Sequence, residues 1–371
     1  MFNKSWRALV ALNVLASTIS CVDADADLEL DDDGSLVVLE QSLAASRPLH
    51  GVHHWDAPRG PALVDAVAAW SGRPYELAMT YAPNSTWSAL HDLGWQLPTW
   101  AKWVAAQPGR RFVYSLPMLP NGENASLASC AQGSYDAHFG AVGAALVDAG
   151  LGNAIVRLGW EFDGDWFKWS ARGHEREYAG CFQRVVRAMR GARANGALQF
   201  EWSASDDIFM ASPTLIRDAY PGDAYVDVLG VNAYDVSWVA NSYPLPSNCD
   251  AACQRTRRAN AWADLTRGMN FMRDLAVQKN KALSIPEWGL WQRSDGQGGG
   301  DNADYVARMH AFVNDPANRV LYESYFDVDY VDGAHQISDV SGTGSGAAPG
   351  HSYKTRFPNA AAKYRELFGR N

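Results

Sequence analysis

The stretch Ile155–Trp169, IVRLGWEFDGDWFKW, decides how the rest of the chain is read. It opens as an apolar run of strand type and breaks into a loop at Asp163-Gly164-Asp165, with Trp160, Trp166 and Trp169 crowding the break. Strand side chains alternate with a period of two, so Arg157, Gly159 and Glu161 are expected on one side, a guanidinium and a carboxylate sharing a face. A charge at the exit of a buried strand is costly unless it is paired or used. The plain alternative is a structural ion pair between Glu161 and Arg157.

Outward from this stretch, the segment LSIPEWGLW places Glu287 at the end of the apolar run Leu283–Pro286, again followed by tryptophans, Trp288 and Trp291. Two strand-terminal glutamates, 126 positions apart and each set among indoles, point to one site built from two strands. Paired carboxylates are what cleavage of a glycosidic bond requires: one acid protonates the leaving oxygen, and one carboxylate attacks or activates water. Flat indole faces are surfaces on which sugar rings stack.

The flanking sequence supplies the architecture. Strand-like runs recur at Leu49–Trp55, Tyr75–Tyr81, Arg111–Pro117, Ala154–Glu161, Leu198–Ser203, Val226–Tyr234, Ala282–Glu287 and Leu321–Asp327. Helical patterns lie between them at 61–70, 99–106, 135–149, 174–193, 213–218, 260–279 and 302–313, and a last one closes the chain at 359–368. Strands alternating with helices imply parallel pairing, and eight such units match an α/β fold of (β/α)8 TIM-barrel type, one domain over residues 47–371. No glycine-rich phosphate loop follows any run, which argues against a doubly wound sheet. Barrel active sites lie at the C-terminal strand ends, where both glutamates fall. Other strand ends carry His53, His54, Trp55 and Asp56, Tyr81, Trp202 and Asp206, Asn232 to Asp235, and Tyr325 to Asp327. Residues 235–259 read as an ordered wall and 338–352 as a mobile loop.

Fifteen tryptophans in 371 residues exceed what a core needs and favour a carbohydrate-facing cleft. A formal net charge of −9 excludes nucleic acid and anionic membrane surfaces as partners, since both require basic patches. Residues 1–20 read as a secretory signal peptide, with Lys4 and Arg7 before an apolar run too short to span a bilayer. Thr18-Ile19-Ser20-Cys21 resembles a bacterial lipoprotein cleavage box, so Cys21 is expected to carry lipid and tether the protein to a membrane. The acidic, aromatic-free segment 21–46 reads as a disordered tether, which places the protein outside the cell, secreted or at the cell surface. Four further cysteines in an exported chain imply two disulfides. The close pair Cys249/Cys253 closes one loop, leaving Cys130 with Cys181.

RLGWEFDGDWFKW resembles the acid/base motif of glycoside hydrolase family 26. PEWG resembles that family's nucleophile motif, and DVLGVNAY the sixth strand of its clan of retaining barrels. The resemblance implies that Glu161 is the general acid/base and Glu287 the nucleophile. Trp166 would line the subsite of the attacked sugar, Tyr234 would hold Glu287, and Arg157 would steady the carboxylates. Trp160 stands where the family has histidine, and Asp163 where it has asparagine. Substrate contacts are expected from Arg157, Trp160, Trp166, Trp202, Asn232, Tyr234, Trp288, Trp291 and His54.

The resulting expectation is a monomeric retaining endo-glycosidase without metal or cofactor, acting on a β-linked polysaccharide. β-Mannan comes first, with β-1,3-1,4-glucan and β-1,3-xylan as alternatives. A non-catalytic glycan-binding barrel, and a metal-dependent hydrolase using His53, His54 and strand-end aspartates, are the competing classes. Glu201 reads as a buried partner for an arginine rather than as a catalytic group. Asp327, Asp329 and Asp332 resemble a calcium loop with the spacing off by one.

Overall fold

The eight apolar runs become eight strands in the computed structural model: β1 Leu49–His53, β2 Leu77–Tyr81, β3 Arg111–Leu116, β4 Ile155–Leu158, β5 Gln199–Ala204, β6 Val228–Val231, β7 Ala282–Gly289 and β8 Val320–Phe326. The structure describes residues 47–54, 60–341 and 354–369, and two short strands near the N-terminus. The expected signal peptide 1–20, Cys21, Trp55, Asp56 and positions 342–352 of the glycine-serine loop lie outside the described residues.

Each strand pairs in parallel with the next, and β8 returns to pair with β1, with Tyr322 opposite Leu49 and Phe326 opposite His53. The sheet therefore closes into a (β/α)8 barrel. Ala233–Tyr234 carries the sixth strand onward after Asn232, against Trp288 and Gly289 of β7. Closure demands a close approach at Gly51, where a Cβ would lie 2.6 Å from a Leu77 methyl and 2.9 Å from the Leu77 carbonyl oxygen.

Leu77, Met79, Val113, Ile155 and Tyr322 form an apolar cluster inside the barrel, distinct from the larger core between sheet and helices. Two positions further along β4, at Arg157, the filling becomes charged. Arg157 Nε lies 3.5 Å from Glu201 Oε1, both side chains fully buried, and the Tyr322 hydroxyl donates to the other Glu201 oxygen. Gly230 makes room for this layer, since a Cβ there would sit 2.7 Å from Glu201 Oε1. Glu201 thus takes the role of arginine partner.

The helix Glu175–Arg190 shows why the outer layer forms. Tyr178, Cys181, Phe182, Val185 and Met189 recur at helical spacing and are buried. Glu175 and Glu177 sit in its first turn and Arg187 and Arg190 in its last, matching the helix dipole. A disulfide from Cys181 to Cys130 ties it to the short helix Leu127–Ala131, and Cys249 pairs with Cys253, as the cysteine spacing implies. The helix expected from residue 260 instead runs Ala251–Gln278, capped by the Asp250 carboxylate, which accepts from the Cys253 N–H at 2.8 Å. It takes in the second half of the segment read as a wall, leaving residues 235–250 in that role.

Residues 1–44 are a unit apart from residues 45–371. Within it Leu28–Leu30 pairs antiparallel with Leu36–Val38. The segment read as an unstructured tether therefore contains a hairpin. In the sequence Leu-Glu-Leu and Leu-Val-Val flank Asp-Asp-Asp-Gly-Ser, a hairpin signal that the acidic composition obscures.

Candidate active site

β4 stops at Leu158, and the backbone then turns left-handed at Gly159 (φ 54°) and again at Glu161 (φ 50°). A Cβ at position 159 would lie 2.2 Å from Met118 Sδ, so only glycine passes there. The turn overrides the alternation of period two. The Glu161 N–H donates to the Ser203 carbonyl at 2.9 Å, which sets Glu161 against the end of β5. A left-handed glutamate costs about 1–3 kcal/mol of backbone strain, of the kind that functional positions carry.

The following loop is locked from both sides. Asp163, buried, accepts from the Ser205 N–H at 2.9 Å with one oxygen and from the Ser205 hydroxyl at 2.6 Å with the other. An asparagine has a single acceptor oxygen, so the carboxylate here fits a double-donor partner. Trp169 Nε1 donates to the Trp160 carbonyl at 2.8 Å, and Lys168 Nζ donates to the carbonyls of Pro120, Asn121 and Glu123.

The two glutamates face one cleft of about 930 Å³ at the C-terminal ends of the strands. Glu161 accepts from Trp166 Nε1 at 2.7 Å and from Asn232 Nδ2 at 2.5 Å. Glu287 accepts from Tyr81 at 2.6 Å, from Tyr234 at 2.7 Å and from the Arg157 guanidinium. Asn232 joins the two halves: its Oδ1 accepts from Arg157 Nη2 at 2.9 Å while its amide nitrogen serves Glu161. Arg157 therefore pairs with Glu287 and Glu201, and not with Glu161 as strand alternation implies.

The same cleft gives the two carboxyls opposite proton affinities. Burial, and then the negative charge of Glu287, raise Glu161 from 4.5 to about 7, against smaller opposing effects of Arg157, Trp166 and Asn232. Burial also works against ionisation of Glu287, but the Arg157 charge together with the hydroxyls of Tyr81 and Tyr234 outweighs it and holds Glu287 below the usual carboxylate range. Both tyrosines are pushed well above the ordinary phenol value, by burial first and then by Glu287, so they remain donors.

Of the residues proposed from sequence, Trp160, Trp166, Asn232, Tyr234 and Trp291 line the cleft with Glu161 and Glu287. Arg157 lies beneath, fully buried, and acts through its hydrogen bonds. Three expected contacts fall elsewhere. Trp202 is turned out of the barrel, stacked on Phe162 at 4.2 Å, because the alternation that turns Glu201 and Ser203 inward sends Trp202 outward. Trp288, next to inward-facing Glu287, is buried on the helix side, where its Nε1 donates to Glu323. His54 is buried beyond the end of β1, its Nδ1 donating to the Asp327 carbonyl at 2.5 Å.

His53 is the histidine that reaches the cleft. Its Nδ1 donates to the Met79 carbonyl at 2.9 Å, and burial lowers its pKa to about 4, so the ring is neutral. The two histidines therefore diverge. Asp327 and Asp329 accept from backbone N–H groups of residues 335–338, which makes them loop fasteners. Among the described residues no group of three or more His, Cys, Asp and Glu side chains is arranged to hold a metal ion.

Four rim aromatics, Trp95, Trp166, Trp238 and Tyr330, line the cleft while 43–58% exposed. Of these only Trp166 is assigned a sugar contact by motif. The others sit in loops after strand ends, where spacing alone does not tell a platform from a surface residue.

A model of glycosyl hydrolase family 26 matches residues 145–256, a segment that holds Arg157, Glu161, Asn232 and Tyr234. A mannan endo-1,4-beta-mannosidase of Bifidobacterium adolescentis is 27% identical over 137 residues, which are 36% of this chain and 12% of that protein. The chain thus spans a small part of that relative's length. Among solved structures, a modular endo-beta-1,4-mannanase from Cellulomonas fimi superposes with a TM-score of 0.59 at 17% identity, covering 87% of this chain and 70% of that one. The catalytic domain of a family 26 endo-beta-1,4-mannanase from Bacillus sp. JAMB-750 gives 0.56 at 16% identity, covering 89% and 88%. At these identities the superpositions establish the barrel fold.

Proposed function

We propose that this glycosyl hydrolase family 26-like chain is a retaining endo-β-glycosidase, with β-mannan as its first substrate and β-1,3-1,4-glucan or β-1,3-xylan behind it. The observation that carries the reading is the pair of glutamates in one cleft, Glu161 held towards its acid and Glu287 towards its anion. Mannan is named because the matched Bifidobacterium and Cellulomonas proteins carry that activity in their descriptions.

In the proposed mechanism Glu287 attacks the anomeric carbon while protonated Glu161 delivers its proton to the departing glycosidic oxygen. The C–O bond breaks, and a covalent glycosyl ester forms on Glu287. Glu161, now a carboxylate, takes a proton from water. That water attacks the same carbon, restores the starting configuration and frees Glu287. Tyr81 and Tyr234 hold the attacking carboxylate in line, and Arg157 keeps it charged. Asn232, its carbonyl oxygen accepting from Arg157, donates through its amide nitrogen to the carboxylate that Glu161 becomes once its proton has gone to the leaving oxygen.

Export follows from the N-terminal sequence, with Cys21 as the lipid attachment point and the folded domain a monomer. Radiolabelled palmitate entering the wild-type protein but not Cys21→Ser checks the anchor. The activity is checked by product analysis on a polysaccharide panel with Glu287→Ala in parallel. Oligosaccharides from the wild type and none from the variant support the reading, whereas binding of a polymer without cleavage replaces it with a glycan-binding barrel.

A further inference from the structure

The exposed aromatics of the cleft rim hang on alternate strands: Trp95 follows β2, Trp166 β4, Trp238 β6 and Tyr330 β8. Glu161 leaves β4 and Glu287 lies in β7, so the line between them divides the closed ring of strands unequally. The short arc holds β5 and β6, and the long arc β8, β1, β2 and β3. Glu161 leans onto β5 through its N–H on the Ser203 carbonyl, which leaves β6 between the two glutamates on the short side. Both carboxyls act on one glycosidic bond, so the chain that carries the bond passes between them and leaves over one arc in each direction. β6 carries Trp238 on the short arc. β2 stands four strands away, directly opposite in a ring of eight, and carries Trp95 on the long one.

Both indoles are mounted on fixed supports, and each support leaves one of the two tyrosines that hold Glu287. Beyond Tyr234, the Ser237 N–H donates to the Gln297 carbonyl at 3.1 Å and its hydroxyl to Asp264 at 3.0 Å, and Trp238 comes next in the chain. The Arg293 guanidinium lies over the Trp238 ring at 5.3 Å and over the Trp291 ring at 4.3 Å, and is itself held by Asp295. Arg293 does not line the cleft, so it backs an indole that does. Beyond Tyr81, buried Gln96 donates to the Tyr81 carbonyl at 3.3 Å and accepts from the Tyr114 hydroxyl at 3.1 Å, which pins the turn that carries Trp95. Trp238 is nevertheless 58% exposed and Trp95 43%. An indole open to water on a rigid mount is stabilised when an apolar face covers it, and little ordering is left to oppose that. We propose that Trp238 and Trp95 are sugar-stacking platforms on opposite sides of the scissile bond, so that the cleft grips a β-linked glycan in both directions and cuts within it. The proposal rests on the glycosidase reading.

The test reads where a chain is cut, a ratio that does not depend on how much of a variant folds. Hexasaccharides of β-mannan, β-1,3-1,4-glucan and β-1,3-xylan are cleaved in water labelled with heavy oxygen, which enters the new reducing end, and mass spectrometry of the products locates each broken bond. Trp238→Ala and Trp95→Ala each weaken the hold on one side, so the hexasaccharide slides until fewer rings lie there. The ratio of cuts near the reducing end to cuts near the other end is expected to change by roughly 3- to 10-fold in each variant, the range for one aromatic contact, and in opposite directions. Trp238→Phe and Trp95→Phe keep a ring and are expected to shift the ratio the same ways by less, which preserves the test where an alanine variant does not fold. Shifts towards the same end, or an unmoved ratio at either position, overturn the proposal. If the wild type cuts none of the three hexasaccharides, the glycosidase reading fails and takes the proposal with it. If it cuts one and the variants leave the ratio alone, only the proposal falls.

Discussion

The ends of β4 and β7 deliver the same side chain to the same cleft and treat it in opposite ways. At β7, Glu287 stays within the strand, where its register against β8 shifts between Ile285 and Trp288, and meets a guanidinium and two phenols. At β4 the strand has already ended. Glu161 sits in a left-handed turn and meets an indole N–H and an amide, both neutral. Each carboxylate is hydrogen-bonded on both oxygens, Glu287 by three donors and Glu161 by two, so occupancy of the oxygens does not separate them. The charge on the donors does, together with the Coulomb effect that each carboxylate exerts on the other. Arg157, hydrogen-bonded directly to one and linked by hydrogen bonds to the other through Asn232, is the asymmetric element.

The largest expected effect comes from deleting the β7 side of the comparison. Glu287→Ala is expected to lose roughly 10⁴-fold or more in kcat, the scale for removing a nucleophile, and azide is expected to restore turnover with inverted product because a small anion enters on the vacated face. Deleting the β4 side costs less where the chemistry asks less of it. Glu161→Gln is expected to lose about 10²- to 10⁴-fold on sugar leaving groups, and far less on a 2,4-dinitrophenyl glycoside, whose leaving group departs without protonation. An equal loss on both would remove the assignment of Glu161 as acid.

Arg157→Met attacks the asymmetry itself. It leaves Glu201 and Glu287 buried without their cation. A loss of roughly 3–5 kcal/mol in urea unfolding is expected, and the acidic limb of kcat/KM is expected to move to higher pH as Glu287 becomes harder to ionise. An unmoved acidic limb would show that the two tyrosines alone set that charge.

The smallest effect is on stability. Glu161 is raised from 4.5 to about 7, so the folded protein holds a proton there that the unfolded chain releases. That contribution is complete below about pH 4.5 and is lost as pH rises through about 7. Glu161→Gln, which does not titrate, is expected to melt above the wild type at pH 8, by about 1 kcal/mol of stability, with the gap closing towards pH 5. Parallel melting curves across that range would mean that Glu161 is not raised.

Much of the barrel is legible in the sequence because buried parallel strands read as apolar runs, and the structure places all eight within a few residues of those runs. Both glutamates are legible because a charge closing such a run is conspicuous. Helix starts are less so. The first turns of Ala251–Gln278 are polar and largely exposed, so no periodic apolar face marks them. The short helices Trp87–His91 and Leu127–Ala131 are held by caps at Thr86 and Ser126 rather than by an apolar stripe. Trp202 and Trp288 could have been set aside, since each adjoins an inward residue and must face out. The left-handed turn that begins at Gly159 and carries Glu161 could not, because Met118 approaches Gly159 from the neighbouring strand end. Tyr81 stands in the sequence as one strand-end phenol among many, and nothing there marks it as the second hydroxyl on Glu287.

The central claim, one protonated and one ionised glutamate acting in sequence on a single sugar, is tested most directly by the configuration of the first product. Wild-type protein incubated with reduced manno-oligosaccharide, followed by proton NMR within the first minutes, is expected to show the β-anomer of the new reducing end before mutarotation supplies the α. The α-anomer appearing first would mean that water attacks directly, and would contradict the role of Glu287 as nucleophile.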